Sequence, residues 1–215
     1  MSNKQHLVII GAGGHGRVAA DCAEQMGNYP KITFLDDCYS TRKSNAHWPI
    51  TGPAHCWQDY RQSADFFVAF GDNAQRAAML TQLTAANCQL ATLIHPSAVI
   101  SKHCTIAPAV LVAANAVINI GSRIELGCII NTAATVDHDC HIQAYCHLSP
   151  GVNIAGGVKI GQYSWLGIAS AVIQAIEIAK NTQCGAGAVI TKPTKSNQLY
   201  VGVPATPVRT LNTIR

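Results

Sequence analysis

Residues 117–158 read VINIGS RIELGC IINTAA TVDHDC HIQAYC HLSPGV NIAGGV, seven six-residue units with an aliphatic side chain second in each, from Ile118 to Ile154. A helix would carry such positions around its whole circumference, whereas a period of six suits short strands separated by regular corners. Extended outward, the register runs from Val99 to Thr194 in sixteen hexads. Fifteen of the sixteen second positions are aliphatic, and the exception, Cys184, is a small hydrophobe. Sixth positions are mostly Ala, Ser, Thr, Val or Cys, small enough for a tapered interior. Three hexads per coil give a parallel solenoid of about five coils, with residues eighteen apart stacked at the ~4.8 Å strand spacing. Each buried aliphatic contributes roughly 1.5–3 kcal/mol by transfer.

The composition suits a folded chain: of 215 residues, 48% are hydrophobic and 12% charged. Nine cysteines make an odd count in a chain too long to need a disulfide framework. Met1 to Gln5 are polar and lead into an apolar strand without a secretory pattern, so reduced thiols and a cytoplasmic location are expected. Apolar stretches are broken by Gly, His, Asn or Pro well before the ~20 residues of a membrane span. A net charge of +4 without a run of Lys and Arg offers no footprint for nucleic acid. Neither membrane nor nucleic acid is an expected partner.

Upstream of the repeat the pattern changes. HLVIIGAGGHGRVAADCAEQMGN, residues 6–28, reads as a strand (Leu7 to Ile10), a glycine-rich turn, and a helix (Arg17 to Met26) closed by Gly27. Gly11, Gly13 and Gly16 have G-x-G-x-x-G spacing, which lets backbone N–H groups at a helix start approach a phosphate; the bland alternative is a turn that only packs helix on sheet. KITFLDD ends a second strand at Asp36 and Asp37, where a dinucleotide fold places an acidic residue for a ribose hydroxyl. ADFFVAFG and NAQRAAMLTQLTAAN add a strand and a helix, with Gly71 at the strand's carboxyl end, beside the glycine turn. Residues 1–92 are therefore expected to form an α/β Rossmann-like half domain. Residues 93–215 are expected to form the solenoid with a short C-terminal tail.

GAGGHG, DHDCHI and VGVPATPVR, in this order around the repeat, make nearly the whole chain similar to the sialic acid and nucleotide amino-sugar acetyltransferase family of the NeuD, PglD and PerB type. The resemblance implies a left-handed parallel β-helix, a homotrimer with sites between subunits, and acetyl-CoA as cosubstrate with no metal. The implied reaction is direct acetylation of the 4-amino group of a nucleotide-linked 4-amino-4,6-dideoxysugar for surface-glycan synthesis. His138 is implied as general base, Asp139 as its orienting carboxylate and the Gly156 amide as oxyanion donor. His147, Gly156, Ile168 and Ala186 map onto acetyl-CoA contacts, Ala186 standing where the family pattern has glycine. Gly13, Gly14, His15, Asp36, Asp37 and Gly71 map onto the nucleotide-sugar site.

The hexad register gives these roles a physical sense. Val136 points inward and Cys140 opens the next face, so His138 and Asp139 fall on an exposed corner, with Gly156 stacked one coil on. Imidazole titrates near the working pH and can take the proton of an attacking amine, while a bare backbone N–H can meet the oxyanion. Asp137 is the alternative partner for the imidazole. The density of His and Cys from 138 to 147 also invites a zinc reading. His141 and His147, however, occupy equivalent positions on adjacent faces and cannot chelate together within one chain. O-acetylation of sialic acid is the alternative reaction. A non-catalytic nucleotide sensor is the alternative role, and it would have no need of His138 beside a bare glycine.

Overall fold

The computed structural model describes residues 5–214. The chain forms two compact units, one ending at Pro96 and the other starting at Ser97. The first contains β1 (His6–Ile10), α1 (Gly14–Met26), β2 (Lys31–Leu35), β3 (Ser44–Asn45), β4 (Trp48–Gly52), β5 (Asp65–Val68) and α2 (Asn73–Ala85). Its sheet has the order β3-β4-β2-β1-β5, parallel apart from the β3–β4 hairpin at one edge. That hairpin is not apparent in the sequence, because β3 is only two residues long and Pro49 interrupts β4.

Helix α1 starts three residues earlier than the apolar pattern suggests. The glycine turn itself supplies the first helical turn: Gly13 is the N-cap in extended backbone, and the Arg17 N–H donates to Gly13 O at 3.1 Å. A β-carbon at Gly16 would overlap the Gly11 carbonyl oxygen, so only glycine lets the helix sit this close to the end of β1. Gly16→Ala is expected to cost about 1–3 kcal/mol, the usual price of overpacking. Thermal unfolding should register this as a lowered Tm, and an unchanged Tm would contradict the close approach.

The second unit contains sixteen two-residue strands at the first and second positions of the sixteen hexads, from Val99–Ile100 to Val189–Ile190. Each pairs in parallel with the strand eighteen residues on, as Val117–Ile118 does with Thr135–Val136 and then Thr135–Val136 with Asn153–Ile154. The result is a parallel β-helix with three faces. One face has six strands (Val99–Ile100 to Val189–Ile190) and the next five (Thr105–Ile106 to Glu177–Ile178). The third runs from Leu111–Val112 to Gln183–Cys184. The expected tail continues that third face as a hairpin: Gln198–Gly202 pairs in parallel with Gln183–Cys184, and Ala205–Thr210 folds back antiparallel. All fifteen aliphatic second-position residues except Ile100 and Ile106, both in the first coil, are buried, and so is Cys184.

Two further regularities fix the corners. The fifth residue of every hexad from Ala109 to Gly187 has positive φ, and Ala, Asn, Asp, Tyr and Gly all fill that left-handed position. The sixth-position side chains are hydrogen-bond donors as well as packing. Cys104, Ser122, Cys128, Cys140, Cys146 and Ser164 each donate to the third-position carbonyl fifteen residues on, at 2.6–3.2 Å. Four of the five solenoid cysteines therefore add an S–H donor at a corner carbonyl. No helix among the described residues is long and apolar enough to cross a membrane.

Candidate active site

His138 and Asp139 lie on the corner between the six-stranded and five-stranded faces. Asp139 Oδ2 is 2.9 Å from His138 Nδ1. An ionised carboxylate can only accept, so in the neutral ring Nδ1 carries the proton and Nε2 keeps its lone pair. Nε2 faces Gly156: a β-carbon there would overlap Nε2, and the ring's Cε1 would also be too close. The coils are locked together at this point, since the Gly157 N–H donates to His138 O at 2.9 Å. The Gly156 N–H donates to no acceptor among the described residues. The imidazole is more than half exposed, and its pKa is raised above the ordinary value, first by the hydrogen bond to Asp139 and then by the charge of Asp137.

Asp137 has a different task from Asp139. Its Oδ1 accepts from the His138 backbone N–H and from Asn119 Nδ2, both at 2.8 Å, and these bonds, Asn119 foremost, hold its carboxyl below the usual range. Ser122 braces the corner from beneath: its hydroxyl donates to Asp137 O at 2.6 Å and accepts from the Cys140 N–H at 3.1 Å. Sequence reasoning missed Asn119 and Ser122. The signal was available, because they stand eighteen residues before Asp137 and Cys140.

Ile168 and Ala186 lie on a different edge of the prism, between the third face and the six-stranded face. They line an open cavity of about 340 Å³ together with Trp165, Pro150 and Leu199. His147 is not among the lining residues. Its ring stacks on Trp165 at 5.7 Å and 7° between planes, and its Nε2 lies 3.2 Å from Asn131 Nδ2. Trp165, anchored through Nε1 to Ser149 Oγ at 2.9 Å and 44% exposed, was also missed. Within one chain, the His138–Gly156 corner and the Ile168–Ala186 groove therefore flank opposite sides of the six-stranded face.

In the first unit, Gly13, Gly14 and His15 form the start of α1 with no side-chain cap. The turn is held from the missed hairpin: buried Asn45 donates to Ala12 O and Gly13 O, and Arg42 donates to Ala12 O, at 2.9–3.0 Å. Asp36 bridges the same turn, with Oδ2 accepting from the Ala12 N–H at 2.6 Å and Oδ1 from the Cys38 N–H at 2.8 Å. Burial alone would raise its pKa, but the hydrogen bonds from Cys38 and Ala12, with Arg42 nearby, hold it low. Asp37 is exposed and accepts from the Ala54 N–H at 2.9 Å. His15 is pushed down to about 4 by burial and then by Arg76, so its imidazole is neutral at physiological pH. Buried Arg76 donates to Phe70 O, Gly71 O and Asn73 Oδ1, fixing the turn that holds Gly71. Phe70 packs against Gly11, so the Gly71 turn and the glycine turn adjoin.

No group of three or more His, Cys, Asp or Glu side chains poised for a metal ion occurs among the described residues. His141 pairs with Glu125 at 2.6 Å on the five-stranded face, while His147 stacks on Trp165 on the third.

Comparison with known proteins covers both units. Residues 6–83 match the PglD N-terminal domain family. A 113-residue segment is 31% identical to the UDP-N-acetylbacillosamine N-acetyltransferase of Bacillus subtilis, spanning 51% of this chain and about half (52%) of that enzyme. The acetyltransferase domain of PglB from Neisseria gonorrhoeae, solved with acetyl coenzyme A, is 37% identical with a TM-score of 0.93, covering 96% of this chain and 100% of that one. PerB from Caulobacter crescentus, solved with CoA and GDP-perosamine, is 34% identical with a TM-score of 0.89, covering 95% of this chain and 97% of that one.

Proposed function

The chain belongs to the sialic acid and nucleotide amino-sugar acetyltransferase family, left-handed β-helix acyltransferases of the PglD and PerB kind, and from that premise we propose that it carries acetyl from acetyl-CoA to the 4-amino group of a nucleotide-linked 4-amino-4,6-dideoxysugar. The observation that carries this reading is the corner at His138, where a carboxylate fixes the tautomer and a side-chain-free glycine leaves Nε2 open. The amine attacks the thioester carbonyl carbon, and its proton passes to His138 Nε2. The oxyanion is met by the Gly156 N–H, the C–S bond breaks, and the imidazolium returns the proton to the departing thiolate. No acyl-enzyme is needed.

On this reading Ile168 and Ala186 receive the pantetheine arm, and His147 acts by backing Trp165. Gly13, Gly14 and the neutral His15 meet the nucleotide diphosphate and its sugar, with Gly71 beside them. Asp37 is the carboxylate left accessible for a base or ribose, and Asp36 holds the turn. The active enzyme is a cytoplasmic homotrimer. The two half-sites flank one face whose outward row is largely small or apolar (Val99, Val117, Thr135, Asn153, Ala171, Val189). A neighbouring copy on that face brings a groove edge to a His138 edge, which no single chain does. The product serves surface-glycan synthesis.

Coenzyme A thiol release with a panel of nucleotide 4-amino sugars and free sialic acid tests the substrate class. Turnover is expected with one of the nucleotide sugars; turnover with free sialic acid alone would favour O-acetylation. The raised pKa of His138 also sets the pH profile. The base works only when neutral, so kcat falls as pH drops through a midpoint above that of a free imidazole. Asp139→Asn removes the charge that favours imidazolium, so the acid limb should move to lower pH while kcat falls. An unmoved limb would detach Asp139 from the base.

A further inference from the structure

Directly before Asp139 in the stack, one coil earlier, stands Gly121, whose φ is +78°. Left-handed backbone is the usual reason for glycine, but it does not explain this one. The same fifth-position corner is occupied by Ala at 109, 133, 169 and 175, by Asn at 115 and 181, and by Tyr at 145 and 163. What distinguishes position 121 is its neighbour. A β-carbon there would overlap Asp139 Oδ1 and come within 3.3 Å of its Cγ. At Gly151, a glycine of the same conformation, the nearest neighbour is the Ala169 Cα at 3.9 Å. The carboxylate that orients the imidazole therefore rests in the space a side chain at 121 would fill. The Asp139 N–H is at the same time tied to Ile120 O at 3.0 Å, so its backbone cannot move outward to compensate.

We propose that Gly121 is a positioning residue for acetyl transfer: the missing side chain admits the Asp139 carboxylate to its seat against His138 Nδ1. This rests on the function proposed above. Asn119, Gly121 and Ser122 then form one cradle, three residues of the hexad VINIGS that hold the base, its carboxylate and the chain on either side. Any side chain at 121 must push the carboxylate off the imidazole while leaving the acetyl-CoA groove, on another edge, untouched.

The test compares Gly121→Ala, Asp139→Asn, their combination and the control Gly151→Ala, which introduces the same backbone strain without a crowded neighbour. The His138 titration midpoint is followed by imidazole NMR on the full chain, alongside turnover. Gly121→Ala should lower the midpoint to near that of Asp139→Asn, reduce kcat by less than the roughly 10²- to 10⁴-fold that a positioned base contributes, and leave the KM for acetyl-CoA unchanged. Added to Asp139→Asn it should change neither midpoint nor kcat further, and Gly151→Ala should resemble wild type. A midpoint in Gly121→Ala equal to wild type overturns the proposal even if turnover falls, as does a shift shared by Gly151→Ala. A lowered midpoint with undiminished turnover overturns it as well, because the seat of the carboxylate then has no bearing on transfer, whereas a wild-type protein that acetylates none of the nucleotide 4-amino sugars would sink the proposed function instead.

Discussion

Replacing His138 with alanine is expected to lower kcat by about 10²- to 10⁴-fold, the range associated with a positioned general base, while acetyl-CoA still binds. The ring is exposed and its contacts are local: Asp139 on one nitrogen, open space above Gly156 on the other. Removing it disturbs no core residue, so the solenoid should unfold at the same temperature. Steady-state kinetics and titration of acetyl-CoA separate the two effects. Turnover within a few-fold of wild type would mean that the proton leaves by another route.

Gly156→Ala should be nearly as damaging, although it adds a single methyl group. Position 156 has no left-handed backbone to protect, so alanine brings no conformational penalty there. The cost is local to the ring. The new carbon would lie inside the volume of the imidazole, forcing His138 off Asp139 and crowding the N–H proposed for the oxyanion. Loss of one such donor alone costs about 10²- to 10³-fold in related chemistry. A folded Gly156→Ala protein with kcat reduced by about that factor or more is the expected result; near-normal kcat would place the reacting carbonyl elsewhere.

The solenoid was legible because its period is strict. Each second-position aliphatic names an inward strand residue, and from there the eighteen-residue stack and the corner at His138 follow by counting. The same count could have found Asn119 and Ser122, but their chemistry becomes visible only once Asp137 and Cys140 are seen to need partners. In the sequence the cysteines are small packing residues; that their S–H groups donate to the carbonyls fifteen residues on depends on where those carbonyls point, which the hexad pattern does not reveal. The first unit was legible at its glycine turn and three strands. Its bracing by Asn45 and Arg42 was not, since their hairpin is short, carries Pro49, and earns its place through polar contacts to Ala12 and Gly13. Arg76 escaped notice because a charged residue on a helix is ordinarily solvated, whereas this one is buried with carbonyl acceptors from the preceding turn.

The separation of the His138 corner from the Ile168–Ala186 groove was likewise implicit in the numbering. His138 is in the corner after a six-stranded-face strand, Ile168 in the corner after a third-face strand, and the two cannot meet within one prism.

Direct transfer at the His138 corner is tested most simply by mixing the purified protein with acetyl-CoA, with and without a nucleotide 4-amino sugar, and following thiol release and intact protein mass together. The predicted result is thiol release that requires the sugar, matches the acetamide formed mole for mole, and leaves the protein mass unchanged. Thiol release at the same rate without the sugar, with an acetyl group retained on the protein, would contradict it.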